Sequence, residues 1–75
     1  MRYRFIDGYE FEAGTATEIC TAIWKSMKFA FHSNLQEWME ANADVMKEGI
    51  GEVIRTDTPG HHVEDMLKAG IIRLV

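Results

Sequence analysis

Between Arg2 and Glu12 the chain alternates aromatic and charged side chains on either side of Asp7-Gly8, and the parity of that alternation admits one hairpin register. Successive side chains of a strand take opposite faces, so a slip of one residue moves the whole set to the wrong side. With Asp7-Gly8 as a two-residue turn, Phe5 would face Glu10 and Arg4 would face Phe11, leaving both faces mixed. A three-residue loop, Ile6-Asp7-Gly8, instead pairs Phe5 with Tyr9, Arg4 with Glu10 and Tyr3 with Phe11. That loop is a type I turn followed by a left-handed residue, where glycine belongs. The pattern predicts a hairpin over residues 2–13, with one buried aromatic face and one face of cross-strand Arg–Glu pairs.

Beyond the hairpin, capping residues punctuate the chain. Thr15-Ala16-Thr17-Glu18 is a capping box and starts a first helix, whose stripe is Ile19, Ile23 and Met27 with Cys20 and Trp24 beside it. Lys25 and Lys28 suit the negative end of its dipole. Ser33 with Gln36 predicts the start of a second helix. Leu35, Trp38, Met39, Val45 and Met46 are its expected core face, and Gly49 its stop. The linker is short, so the two helices should pack as an antiparallel hairpin. Residues 52–56, with Val53 and Ile54, read as a short strand. Thr58 caps a third helix, with Pro59 in its first turn, a buried face of Val63, Met66 and Leu67, and Gly70 as its end. The apolar residues 71–75 read as a docked terminal strand.

The predicted class is α+β, in the order ββααβαβ: a small, mainly antiparallel sheet with a helical layer on one face. With 75 residues and one proline, residues 1–75 read as a single domain. Cys20 is the lone cysteine, which rules out an internal disulfide and points to a reducing compartment. No apolar run approaches the ~20 residues that cross a bilayer, and the start of the chain lacks a signal-peptide pattern, so the expectation is a cytoplasmic protein without membrane contact. The formal charge of −4 disfavours direct binding to nucleic acid, which depends on Lys and Arg displacing counterions.

Few residues are equipped for catalysis. No phosphate-binding glycine loop, nucleophile elbow or His-Glu-x-x-His motif occurs. Cys20 falls on the buried stripe, where a thiol is inert. His61 and Asp65 are four apart and could share an ion, with His32 as a distant third ligand, but a pair is too few and no metal or other cofactor is expected. The chain therefore reads as a non-enzyme.

Its candidate contacts are surfaces. Glu37, Glu40, Asp44 and Glu48 are spaced three, four and four apart, and project from one face of the second helix. Like charges at these spacings repel by a few tenths of a kcal/mol per pair. Such a stripe can enter a groove built for phosphates, or it can be an ordinary solvated helix face. Phe29 and Ile6 are the candidate apolar anchors. Phe29 points away from the stripe if the first helix runs on to Phe31, and tucks under the turn if the helix stops sooner.

Val53-Ile54-Arg55-Thr56-Asp57, with Val63-Glu64-Asp65-Met66-Leu67-Lys68-Ala69-Gly70-Ile71-Ile72, resembles short proteins of phages and mobile elements, among which are the anti-CRISPR inhibitors. The resemblance covers the C-terminal third by local pattern, and the rest by size, acidity and element order. It implies a non-catalytic inhibitor of a CRISPR effector complex, often of type I, that blocks DNA recognition, sometimes by imitating DNA charge. No residue's role carries over from it. The expected partner is thus a protein complex with a basic surface. The other expectation is a homo-oligomeric accessory or regulatory module, a homodimer paired through the terminal strand.

Overall fold

A computed structural model describes residues 1–27 and 31–75 of the chain. The elements run β1 (Arg2–Phe5), β2 (Glu10–Glu12), α1 (Ala16–Ser26), α2 (Leu35–Ile50), α3 (Pro59–Lys68) and β3 (Ile72–Leu74). The strands form one antiparallel sheet in the order β2-β1-β3, so the first strand is central. The fold is α+β, as the sequence predicts.

The hairpin has the expected register, with Tyr3 opposite Phe11 and Arg4 opposite Glu10. The Phe5 amide donates to the Tyr9 carbonyl at 2.8 Å, and the Gly8 amide to the Phe5 carbonyl at 2.8 Å, closing the Ile6-Asp7-Gly8 loop. Gly8 takes φ of 97°, which a side chain would strain. Phe5 and Phe11 are buried, whereas Tyr9 is exposed and stacks on Phe11 at 5.6 Å. On the outer face Glu10 accepts from Arg2 at 3.2 Å and from Arg4 at 2.7 Å.

Thr15 caps α1 through its hydroxyl, which accepts from the Glu18 amide, and the Glu18 carboxylate in turn accepts from the Gly14 amide at 2.9 Å. Ile19, Cys20 and Ile23 are buried, with Trp24 and Met27 packed partly against them. The third helix is capped by Thr58 with Pro59 in its first turn. It ends as the sequence predicts: the Gly70 amide reaches the Leu67 carbonyl, and the Ile71 amide the Met66 carbonyl at 2.9 Å. Gly70 is left-handed, and Met66 and Ile71 are both fully buried beside this Schellman turn.

Five local expectations need correction. The second helix starts one residue later, at an Asn34 cap whose side chain accepts from the Glu37 amide at 2.9 Å; the Glu37 carboxylate reaches back to the Ser33 amide at 3.4 Å. Glu37, not Gln36, completes the cap. The helix also runs through Gly49 to Ile50, and Gly51 at φ of 73° stops it. A helical glycine costs only about 1 kcal/mol relative to alanine, so the first glycine need not end a helix.

Residues 52–56 are not a strand, and the order is ββαααβ. Backbone groups of Arg55 and Thr56 are taken by side chains instead. The Arg55 amide donates to Asp65 at 2.8 Å, the Arg55 carbonyl meets His62 Nδ1 at 2.8 Å, and the Thr56 carbonyl accepts from Gln36 at 2.6 Å. Ile54 is buried while Val53 is 76% exposed.

The buried faces of two helices are also rotated from the expected ones. On α2, Asn42 lies inside and Val45 is 62% exposed; on α3, His62 is fully buried and Leu67 is 41% exposed. At about 100° per residue, replacing Leu67 by His62 turns the centre of the α3 buried face by roughly 50°.

Candidate functional site

The second helix presents the acidic face. Its buried arc is centred between Trp38, Met39, Asn42 and Met46, and the helical angle places the mean direction of Glu37, Glu40, Asp44 and Glu48 about 170° away. All four acids are exposed. Their situations differ. Glu37 belongs to the helix cap, and the Glu40 carboxylate accepts from the Gln36 amide group at 3.3 Å. Asp44 and Glu48 have no ion-pair partner among the described residues.

Val45 was placed in the core by its apolar character, yet it lies about 75° from the centre of the buried arc. That angle sets it on the flank between the core and the acids, so it is the large apolar residue nearest the stripe along this helix. Ile6 is 52% exposed but sits in the hairpin loop beside the Gly70 turn, so the structure does not bring it to the acids. Phe29 lies outside the described residues. Because α1 stops at Ser26, Phe31 does not continue its stripe; it is 85% exposed.

The junction of α2, α3 and residues 52–57 holds a polar cluster that sequence reasoning missed. His62 is fully buried, its Nδ1 on the Arg55 carbonyl and its Nε2 3.0 Å from the Asn42 amide nitrogen. A carbonyl only accepts, so Nδ1 carries the proton and Nε2 accepts from Asn42. Burial lowers the pKa of the ring, against the Arg55 carbonyl and the Asp65 charge that raise it. Trp38 meets this ring edge-on at 5.8 Å. Arg55 grips Asp65 with Nε and a terminal nitrogen, both at 2.9 Å. These bonds and the Arg55 amide hold Asp65 down to about 2. Each polar group here answers another, which makes the cluster a structural joint between helices.

His61 and Asp65 do not form a ligand pair. His61 Nδ1 turns back to Asp57 at 2.9 Å, while Asp65 is held by Arg55. Among the described residues no group of three or more His, Cys, Asp or Glu side chains could hold a metal ion. Burial pushes the Cys20 thiol up to about 12, so it stays protonated at neutral pH. Among the described residues, no helix is long and apolar enough to cross a membrane.

Compared with known proteins, the chain matches no family model, no curated protein and no solved structure.

Proposed function

We propose that this chain is a non-catalytic binding protein that inhibits a nucleic-acid-handling complex by laying the acidic face of α2 in a groove built for phosphates. The observation that carries the reading is the exposed carboxylate row itself, in which Asp44 and Glu48 are unpaired among the described residues. Two i,i+4 pairs of like charge, Glu40–Asp44 and Asp44–Glu48, cost the isolated helix a few tenths of a kcal/mol each. A basic groove would convert that repulsion into attraction and speed encounter. Val45, beside the row, would supply apolar contact where the charges end. The target we infer from the resemblance is a CRISPR effector complex of type I, met in the host-cell cytoplasm.

Capture from bacterial lysate carrying such an effector tests this. The wild-type chain should bring the effector down at low salt and release it at high salt. The double variant Glu40→Lys/Asp44→Lys should fold and capture nothing. Equal capture by the double variant would remove the acidic row from the account.

A second reading, a homodimeric accessory module, is favoured by one feature: β3 is an edge strand whose Leu74 is 54% exposed. Light scattering after size exclusion separates the two, since a monomer at micromolar concentration counts against self-pairing.

A further inference from the structure

Because β1 is the central strand, Arg4 has different neighbours on its two sides: Glu10 from β2 and Arg73 from β3. Arg4 and Arg73 are directly opposite in the β1–β3 register. Side chains so placed have Cβ atoms ~5 Å apart, and like charges there destabilise the ladder. Glu10 answers Arg2 and Arg4. Arg55 is answered by Asp65 and Glu64. Arg73 is the arginine with no acidic partner among the described residues. The positive charge on this face is therefore left unbalanced on the β3 side.

A cleft of 220 Å³ opens at that place, between the hairpin loop and the Gly70 turn, lined by Arg4, Arg73, Ile6, Gly8 and Gly70 among others. Gly8 and Gly70 take φ of 97° and 75°, and nothing lies within 4 Å of where a Cβ would stand on either. Both turns need glycine for their conformation, and both line the cleft. Its volume is below the ~300–1,000 Å³ of ordinary ligand pockets, so a nucleotide is too large. A single oxyanion fits, and a guanidinium is the donor whose fork matches carboxylate and phosphate oxygens.

We propose that this cleft binds a small oxyanion, a carboxylate or a phosphate group, between Arg73 and Arg4, with Ile6 as its apolar wall. The site lies on the sheet and not on α2, so it stands independently of the acidic face.

The test is an amide-resolved NMR titration at constant ionic strength, exchanging chloride for inorganic phosphate in one arm and for acetate in the other. Saturable shifts at the amides of Ile6, Gly8, Gly70 and Arg73 are expected in at least one arm, and the arm that saturates identifies the oxyanion. Arg73→Gln, an exposed change that leaves the ladder backbone in place, should weaken binding by about tenfold or more, the loss of a charge-assisted contact. The bound anion should also raise the melting temperature of the wild type and not of Arg73→Gln. Unsaturable shifts in both arms, or equal affinity in Arg73→Gln, would overturn the site.

Discussion

At His62 a single proton decides whether a buried contact is attractive. The neutral ring accepts from Asn42 through Nε2; the charged ring would put two donors face to face. Its folded-state pKa is depressed below the ordinary 6.5, with burial as the largest cause. The unfolded chain thus binds a proton that the folded chain refuses. The stabilisation is fully present above pH 6.5 and is lost as pH falls below it. Asp65 acts lower on the scale: held to about 2 against an ordinary 3.8, it supports the fold above 3.8 and loses that support as pH falls towards 2. Urea unfolding at a series of pH values should show both declines. His62→Gln should flatten the upper one and leave the lower. An unchanged slope just below pH 6.5 in that variant would mean the ring is not the group responsible. The sequence did not disclose this residue, because a histidine at the fourth position of a helix looks solvated until its neighbours are known. His62 is buried by partners 7 and 20 residues away, Arg55 and Asn42.

Elements differ in legibility according to where their hydrogen bonds go. The hairpin, the Thr15 and Thr58 caps and the Gly70 turn are satisfied by groups within a few residues, so their signals are local. Residues 52–56 are not a strand, and the backbone groups of Arg55 and Thr56 are met instead by Gln36, His62 and Asp65 from the neighbouring helices. The start of α2 was ambiguous because Ser33 and Asn34 are adjacent good caps. The geometry resolves this and predicts unequal alanine substitutions. Asn34→Ala should cost about 1 kcal/mol of stability, and Ser33→Ala a few tenths at most. Thermal or urea unfolding checks the pair, and the reverse ranking would restore Ser33 as the cap. The acidic row belongs to this scale too: its spacing was readable from sequence, whereas the use of Glu37 in the cap and the outward flank position of Val45 were not.

For the whole molecule, size sets the stakes. One core in 75 residues supplies no more than about 3–5 kcal/mol without a staple, and the free Cys20 offers none. Ile23 is fully buried in that core, and truncating it to alanine costs about 2–5 kcal/mol. The two ranges overlap, so Ile23→Ala should be largely unfolded at room temperature by circular dichroism; a cooperative melt close to that of the wild type would show a reserve of stability that the size argument denies. Set against such a narrow margin, Asp44 and Glu48, without an ion-pair partner among the described residues, are the carboxylates for which the proposed function would supply a use. The direct measurement is displacement of duplex target DNA from a purified type I CRISPR effector complex as the chain is titrated in. The account predicts mutual exclusion: the apparent Kd for DNA rises in proportion to the chain's concentration, and Glu40→Lys/Asp44→Lys has no effect on it. Simultaneous binding of chain and DNA, or equal displacement by the double variant, would contradict charge mimicry by α2.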